Sequence, residues 1–383
     1  MKRKIISYLL TVILVIIPFT FISSAVKIKE ANFDLDVKSA ILIDADTGTI
    51  LYSYNENESL PPASVTKIMT LLLVFEAIEN GTIKYEDKLT ASENAASMGG
   101  SQIYLEPGEE MTVDDLLKSV IVASANDAAL TLAEAVGGSE ESFVEMMNNK
   151  AKELDMKNTH FENVTGLDDD VSNHLTSAKD IAIMSKELLK YDKVSNYATI
   201  WMDSIRNGEF GLTNTNRLIR FYKGITGLKT GYTSKAGYCV SASAKREGMH
   251  LIAVIMGAES STIRNNAATK LLDFGFANYS TYKTNEKTEY ISIYGGTSDS
   301  VKIKYNDFNM LINKGEHNKI ENEIVLDEYL VAPIKRNEIV GKIIYKIDGE
   351  IVGESAITAE EKVDKITFFE YLLKILKNIF WLM

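Results

Sequence analysis

The sequence predicts a mixed α/β (α+β) fold: an antiparallel sheet with a helical insertion, then a small all-β domain and a C-terminal amphipathic helix. Hairpin patterns stand near both ends of residues 35–275 with helical patterns between them, so we expect one sheet built from both ends. Short alternating strands follow beyond residue 287, and the last 25 residues have helical periodicity. The 383 residues allow two or three domains of roughly 150 residues each.

The first 25 residues predict a secretory signal peptide. Three basic residues open the chain, an apolar run (5–22) follows, and Ser23-Ser24-Ala25 forms a small-residue cleavage pattern. The alternative is an uncleaved transmembrane anchor, because the run approaches the roughly 20 residues that span a bilayer. Pro18 and the small residues after it favour cleavage, so we expect an exported mature protein.

The large segment 26–277 begins and ends with hairpin patterns. Residues 37–45 and 49–54 are rich in aliphatic residues and flank the turn Asp46-Thr47-Gly48. Residues 237–244 and 250–257 form a second pair, and a helix is expected over 261–274. These two hairpins supply the strands of the expected sheet.

Five helical patterns lie between the two hairpins. Residues 63–79 are apolar on nearly every face and stop at Asn80-Gly81, which predicts a helix buried inside the domain. Thr112 and Asp115 resemble a capping box for a helix through Val120. The remaining helices are expected over 127–136, 143–154 and 177–189.

The C-terminal part has two further patterns. Residues 278–287 are polar and aperiodic, which favours a linker, and alternating strands such as 301–305 and 342–347 place a small β domain over 278–358. Residues 359–383 form an amphipathic helix with a broad apolar face. A docking helix is one interpretation, but lysines among aromatic residues favour a helix lying in a membrane interface.

Composition excludes several classes of function. The net charge is −12 and no polybasic block stands in the middle of the chain, so nucleic acid is not an expected partner. The single Cys239 forms no intramolecular disulfide, and the four histidines, which have no metal-ligand spacing, are His160, His174, His250 and His317. We expect neither a metal site nor a cofactor.

A serine–lysine pair is the candidate nucleophile, since G-x-S-x-G, Walker A and G-x-G-x-x-G motifs are all missing from the sequence. S-x-x-K occurs at Ser24, Ser64 and Ser280, and only Ser64 begins a buried helix. There its hydroxyl lies at the positive end of the helix dipole, and burial would lower the pKa of Lys67 until its amine accepts a proton. The alternative is an N-cap serine beside a lysine that reaches water.

Two further motifs favour the nucleophile interpretation of Ser64 over the N-cap interpretation. Ser124-Ala125-Asn126 connects two expected helices, although Asn126 or Asp127 could be a simple N-cap. Lys229-Thr230-Gly231 occurs once, before the second hairpin. It is either a surface turn or a strand edge where Lys and Thr meet a carboxylate and Gly leaves room for an extended peptide.

S-x-x-K, S-x-N and K-T-G in this order form the motif set of penicillin-binding proteins and serine β-lactamases. The stretches 62–67, 227–233 and 236–238 and the block around Ser124 resemble the low-molecular-mass D-alanyl-D-alanine carboxypeptidases, a peptidase S11-like family of penicillin-binding proteins. The resemblance covers most of 35–275 and includes the β domain and tail. It implies a β-lactamase/transpeptidase-like domain acting on peptidoglycan at the outer face of the cytoplasmic membrane, inhibited by β-lactam antibiotics.

The resemblance also implies the catalytic roles. Ser64 would attack the bond between the two terminal D-alanines of a stem peptide, and Lys67 would take its proton. Ser124 would relay a proton to the leaving amine, and Asn126 would orient Lys67 and the substrate amide. Water would then hydrolyse the acyl-enzyme.

The same resemblance implies the substrate-binding roles. Lys229 and Thr230 would bind the terminal carboxylate, and Gly231 would leave room for the peptide. The backbone amides of Ser64 and Tyr232 would form the oxyanion hole. Arg264 would assist with the carboxylate, although a helix-surface arginine is the commoner explanation.

Two other functions remain open at the level of sequence. A class A β-lactamase needs a deacylating Glu and a supporting Asn, and residues 160–164 lack the E-x-x-x-N arrangement. A catalytically silent peptidoglycan-binding or antibiotic-sensing module would usually lack Ser64 or Lys67, and both are present.

Overall fold

The computed structural model describes residues 26–31, 33–167, 171–284, 287–326 and 329–381, with side chains as far as residue 376. The expected signal peptide, residues 1–25, lies outside the described residues. The chain divides into two compact units, Ile28–Thr281 and one that includes Tyr282–Met383.

The described helices and strands are these. The helices are α1 (Lys67–Glu79), α2 (Glu93–Ala96), α3 (Val113–Lys118), α4 (Asn126–Gly137), α5 (Glu140–Glu153), α6 (Ala178–Leu188), α7 (Asp192–Ala198), α8 (Leu218–Phe221), α9 (Ser261–Asn278) and α10 (Phe368–Trp381). The strands are β1 (Ser39–Asp44), β2 (Ile50–Tyr54), β3 (Lys88–Thr90), β4 (Glu110–Thr112), β5 (Met202–Ile205), β6 (Phe210–Thr213), β7 (Ile225–Thr233), β8 (Gly237–Arg246), β9 (Met249–Ala258), β10 (Tyr279–Thr284), β11 (Lys287–Ser292), β12 (Ser300–Tyr305), β13 (Phe308–Asn313), β14 (Ile320–Leu326), β15 (Ile339–Ile347) and β16 (Glu350–Ala359).

The first unit is built on one antiparallel sheet in the order β2-β1-β9-β8-β7. The first and second hairpins therefore join in one sheet, with Ala40 opposite Ile255, which confirms the expected sheet made from both ends. Alternate β9 side chains face opposite sides: Ile252, Val254 and Met256 enter the core that the helical insertion shares. On the other side, Leu251 packs against Gly275 of α9, where a Cβ would lie 2.4 Å from its Cδ1.

The buried helix differs from its predicted form at its start. Residues 63–79 were expected as one helix, but Ala63–Thr66 form a 3₁₀ turn and the α-helix begins at Lys67. Ala63 has a left-handed φ of 50°, so the chain enters this turn abruptly. The buried face predicted for α1 is confirmed, because Ile68, Met69 and Val74 are fully buried.

Three elements correct or extend the sequence predictions. The interpretation of 278–287 as a linker is wrong, because β10 occupies Tyr279–Thr284 and β11 begins at Lys287. Lys229-Thr230-Gly231 lies inside β7 at the sheet's edge, so the surface-turn alternative is also wrong. The β5–β6 hairpin has no counterpart among the predicted elements.

The second unit contains a five-stranded sheet in the order β11-β12-β16-β15-β14 around a small core that includes Val301, Ile303 and Ile357. Its paired backbone continues past the expected end at Thr358, since Val363 bridges Ile334 and Lys365 bridges Gly296. The helix expected over 359–383 is present as α10 but begins only at Phe368, because Val363 and Lys365 before it pair with the second unit. Among the described residues no helix is long and apolar enough to cross a membrane.

Candidate active site

Ser64 and Lys67 lie one turn apart at the entry to α1. The Lys67 Nζ donates hydrogen bonds to Ser64 Oγ at 2.9 Å and to the carbonyl oxygen of Thr165 at 2.9 Å. Lys67 is completely buried. Burial, and secondarily the positive charge of Lys229, holds the pKa of Lys67 well below its ordinary value, while Asp127 acts in the opposite direction. A lowered pKa makes this amine better suited to accept the hydroxyl proton of Ser64.

The edge strand β7 passes directly against the nucleophile's turn. A Cβ built on Gly231 would lie 2.8 Å from the carbonyl oxygen of Pro62 and 2.9 Å from the amide nitrogen of Ser64. Those separations are shorter than real Cβ contacts and involve backbone atoms that do not yield readily. Position 231 therefore requires glycine, and β7 and Ser64 together form one wall of the site.

Ser124 ends a π-helical turn, Ser119–Ala123, with a left-handed φ of 64°. Its Oγ accepts a hydrogen bond from the Lys229 Nζ at 2.8 Å. A non-glycine residue in this conformation is strained by about 1 kcal/mol or more, and such strain concentrates at functional sites. The turn thus aims the Ser124 hydroxyl at the lysine of β7.

Asn126 begins α4 and has one side-chain atom free for a ligand. Its Nδ2 donates to the carbonyl oxygen of Gly99 at 2.6 Å, whereas its Oδ1 is buried and has no hydrogen-bond partner among the described residues. An unpaired buried acceptor costs about 1–3 kcal/mol, which a ligand N–H would recover. The Asn126 carbonyl is therefore arranged to accept from an amide.

Lys229 is the second buried lysine of the site. Besides Ser124, its Nζ donates to the carbonyl oxygen of Thr230 at 3.1 Å. Burial, followed by the charge of Arg264, lowers the pKa of Lys229 to about 7. Thr230 Oγ1 donates to Thr215 Oγ1 at 2.8 Å.

Arg264 is buried on α9, not exposed on the helix surface, so that alternative is wrong. Its pKa is lowered to about 10, chiefly by burial, and its charge acts on Lys229. Its guanidinium carbon lies 5.9 Å from the ring centroid of Tyr238, whose ring packs 4.3 Å from that of the exposed Tyr232. The two cations create a field that favours an anion at this end of β7.

Several residues that support the site were not singled out from the sequence. Thr165 binds Lys67 through its backbone carbonyl, which any residue type supplies. Asp127, predicted only as an N-cap, accepts hydrogen bonds from the amides of Ile103 and Leu105, so it holds the loop that carries Gly99. No sequence motif identifies residues that support the site through such backbone contacts.

His174 links the Thr165 segment to the turn of the nucleophile. Its Nδ1 accepts from the amide of Glu162 at 3.0 Å, so its Nε2 carries the hydrogen that bonds Thr66 Oγ1 at 2.8 Å. In the same segment Gly166 has φ 83°, and a Cβ there would lie 1.8 Å from the carbonyl oxygen of Ala63. In the sequence, Gly166 is the residue that could have indicated that this segment approaches another backbone closely.

A cavity of about 510 Å³ adjoins the catalytic residues. Its lining includes Gly99 and Thr165, whose carbonyls bind Asn126 and Lys67, and it extends toward Glu140 and Glu162. Over the described ranges, no group of three or more His, Cys, Asp or Glu side chains could hold a metal ion.

Models of two protein families match the chain. The family described as D-alanyl-D-alanine carboxypeptidase matches residues 25–260, and the C-terminal domain of penicillin-binding protein 5 matches residues 276–365. The second match begins at residue 276, six residues before the second unit's Tyr282.

Individual proteins agree with the family models. The chain is 47% identical over 345 residues to D-alanyl-D-alanine carboxypeptidase DacF of Bacillus subtilis (strain 168), covering 88% of each. It resembles the crystal structure of penicillin binding protein 5 from Haemophilus influenzae with a TM-score of 0.74 and 31% identity, over 88% of this chain and 100% of that one. Penicillin-Binding Protein D2 from Listeria monocytogenes, solved in its ampicillin-bound form, matches with a TM-score of 0.59 and 31% identity over 64% of this chain and 100% of that one.

Proposed function

The chain belongs to the serine-type D-alanyl-D-alanine carboxypeptidase family, and on that basis we propose that Ser64 removes the terminal D-alanine from peptidoglycan pentapeptides through an acyl-enzyme. The observation that carries the assignment is the 2.9 Å hydrogen bond between the Lys67 Nζ and Ser64 Oγ. It places a completely buried amine, with its pKa lowered, beside a hydroxyl at the start of a helix.

Acylation follows from that geometry. The neutral amine of Lys67 takes the Ser64 proton as Oγ attacks the carbonyl carbon between the two D-alanines. The oxyanion that forms is held by the backbone amides of Ser64 and Tyr232. Donors fixed in place before the reaction stabilise the developing charge without rearrangement, which is the largest contribution in many acyl-transfer enzymes.

Departure of D-alanine requires a proton on its amine. Ser124 gives its hydroxyl proton to that amine, and Lys229, 2.8 Å away, replaces it. A lysine whose pKa is about 7 exchanges protons readily near neutral pH. Water then attacks the acyl carbonyl carbon: its hydroxyl joins the shortened peptide and its other proton returns to Ser64 Oγ. Lys67 releases the proton it took from Ser64 to solvent and Lys229 takes one up, so both lysines regain their starting states.

Substrate recognition uses the residues of β7 that directly precede Gly231. Lys229, Thr230 and Arg264 bind the terminal carboxylate, and Gly231 lets the extended peptide lie along the strand. The unpaired Oδ1 of Asn126 accepts from a substrate amide. β-Lactam antibiotics acylate Ser64 through the same contacts, as inhibitors.

The segment near Thr165 argues against a β-lactamase. Glu162, the acidic residue of the stretch 160–164, accepts from the amide of Asn173 at 2.9 Å through its Oε2. Thr165 thus presents a carbonyl oxygen to Lys67, where a class A enzyme would need a deacylating carboxylate. The penicilloyl adduct should therefore persist.

Mass spectrometry with a synthetic pentapeptide ending in D-alanyl-D-alanine tests the proposed reaction. We expect a tetrapeptide and free D-alanine in equal amounts. Tight penicillin binding without peptide turnover would instead indicate a silent sensor, and rapid loss of the penicilloyl adduct would indicate a β-lactamase.

We further propose that residues 1–25 direct export and that α10 anchors the enzyme to the outer face of the cytoplasmic membrane. Phe368 is 80% exposed, and Phe369 and Leu373 are also exposed, which disfavours the docking-helix interpretation. Thr367, Glu370 and Lys374 supply the polar stripe expected of an interfacial helix. Phe380 and Trp381 belong to the predicted apolar face but lie beyond the described side chains.

Truncation before Phe368 tests the anchor, because it removes α10 and leaves the paired residues Val363 and Lys365 in place. Each Å² of apolar area that leaves water contributes about 25 cal/mol, so loss of the helix should release an active, soluble enzyme. Fractionation of cells with activity assayed in each fraction is the measurement. A truncated form that still sediments with membranes would favour an uncleaved N-terminal anchor, and a soluble but inactive form would show that the tail belongs to the fold.

A further inference from the structure

Three exposed apolar side chains form a patch at one end of the second unit. Tyr294, Tyr329 and Val331 are 61%, 66% and 57% exposed, and the two tyrosine ring centroids are 6.0 Å apart. Single exposed apolar residues are ordinary, but a cluster of them marks an interaction surface. We call these three residues the tyrosine patch.

The backbone holds the tyrosine patch in a fixed arrangement. Tyr294 forms a parallel bridge with Val331, its amide donates to the carbonyl of Leu330 at 2.8 Å, and its carbonyl accepts from the amide of Ala332 at 2.9 Å. Ala332 and the nearby Ile334 are buried. The exposed side chains are therefore presented from paired backbone above a packed core.

The loop that follows Tyr294 holds the start of α10. Gly296 bridges Lys365, and the amide of Ile366 donates to the carbonyl of Gly295 at 2.9 Å. Further along, Asp299 is ion-paired with Lys374 in the second turn of α10. The loop that begins at Tyr294 therefore carries part of the tyrosine patch at its start and contacts the segment of α10 further along.

The charged residues beside the tyrosine patch fit an anionic lipid surface. Lys335, Arg336 and Lys365 are exposed on the segments that carry the patch or pair with its loop. Of the acidic residues in the same segments, Asp364 is ion-paired with Lys362 at 3.1 Å and Asp299 with Lys374, while the exposed Glu338 accepts from the backbone amide of Lys335 at 2.7 Å. Basic residues near a membrane surface are each attracted by anionic lipids, by about 1 kcal/mol.

We propose that the tyrosine patch is a second lipid contact, which rests with α10 in the headgroup region of an anionic membrane. Tyrosine suits that region because its ring is apolar and its hydroxyl remains wet. The inference depends on the proposed membrane role of α10 and extends it: the second unit contacts the bilayer at two points and lies on the membrane in a fixed orientation.

Site-specific fluorescence on the full mature chain tests this contact. Cys239 is completely buried, so an engineered surface cysteine can be labelled selectively with a polarity-sensitive dye. Tyr329→Cys reports on the patch and Leu373→Cys on α10. The matched control is Ile351→Cys. Ile351 is an exposed apolar residue near the start of β16, and about 26 Å of strand separates it from Ala359 at the other end of β16.

Vesicles of phosphatidylcholine with phosphatidylglycerol serve as the membrane. We expect a blue shift and quenching by brominated lipid for the dyes at positions 329 and 373, and neither for the dye at 351. A response at 373 alone would overturn the second contact and leave the anchor intact. No response at either position would overturn both, and a blue shift at 329 that needs protein concentration but no vesicles would assign the patch to a second copy of the chain.

A binding measurement completes the test. The double substitution Tyr294→Ser and Tyr329→Ser should weaken association of the full chain with these vesicles by about tenfold. Ile351→Ser should leave it unchanged, and pentapeptide turnover in solution should be the same for both variants. Equal vesicle binding by the double variant and the unaltered chain would contradict the proposal.

Discussion

Two lysines of the first unit and two of the second have opposite environments. In the first unit Lys67 and Lys229 are 0% and 1% exposed, and their side chains donate to hydroxyl and carbonyl oxygens. In the second unit Lys342 and Lys346 form ion pairs at the surface with Glu354 and Glu323. Burial without a carboxylate partner lowers the pKa of a lysine and makes it chemically useful, whereas an exposed ion pair contributes at most about 1 kcal/mol to stability.

Loss of the buried base should have the largest effect. Lys67→Ala removes the acceptor for the Ser64 proton, so we expect pentapeptide turnover and penicillin acylation to fall by at least about 1000-fold. Lys346→Ala, which breaks only an exposed pair, should change neither rate more than about twofold. Circular dichroism confirms folding of both variants. Substantial acylation of a folded Lys67→Ala variant would show that another group takes the proton.

The second buried lysine should matter less and in a different way. Lys229→Ala removes a charge from the carboxylate site and the partner of Ser124, so kcat/KM should fall by about 100-fold with a raised KM. The diagnostic comparison is a peptide whose terminal carboxylate is replaced by an amide. The unaltered enzyme should lose far more activity on this change than the variant. Equal losses would contradict the role given to Lys229.

Close packing of β7 against Ser64 gives a third comparison. Gly231→Ala places a Cβ 2.9 Å from the Ser64 amide, so we expect turnover to fall by about 30-fold and stability by about 1–3 kcal/mol. Gly211 has nothing within 4 Å of its Cβ position, so Gly211→Ala is the matched control and should keep normal activity. Crystal structures of both variants and thermal melts are the measurements.

The pH dependence of stability should distinguish the two kinds of lysine. Unfolded Lys229 has its ordinary pKa of 10.5 and folded Lys229 a pKa of about 7, so between these values the unfolded state binds more protons. The free energy of unfolding should therefore rise with pH from about 7 to 10.5, by up to a few kcal/mol. Lys229→Met should flatten this rise, and Lys346→Met should not. Denaturant titrations at several pH values would show this, and an unchanged slope in Lys229→Met would refute it.

Local sequence patterns predicted much of the fold, because hairpins, buried helices and helix caps depend mainly on residues close together in the sequence. The two hairpins, the buried face of α1 and the cap at Thr112, whose Oγ1 accepts from the amide of Asp115, are all present. Strand β10 was mistaken for part of a linker, since most of its side chains are only partly buried and give little hydrophobic alternation.

The sequence predicted those parts of the candidate site that specific side chains form, but not those that backbone groups form. Motif order singled out Ser64, Lys67, Ser124 and Lys229, but only Ser64 and Lys67 were expected as a pair. The structure also places Lys229 within hydrogen-bond distance of Ser124. The second acceptor of Lys67 is a backbone carbonyl 98 residues away, at Thr165. Since every residue type has a carbonyl, the fold alone determines which one arrives there.

Peptide mapping of the penicillin-labelled protein tests the central claim most directly. Ser64 combines a helix entry, a buried lysine at 2.9 Å and an edge strand for the substrate, so it should carry the penicilloyl group alone. The account predicts one labelled peptide, containing Ser64, and none from Ser64→Ala. A label on Ser124 or Ser280 would contradict it.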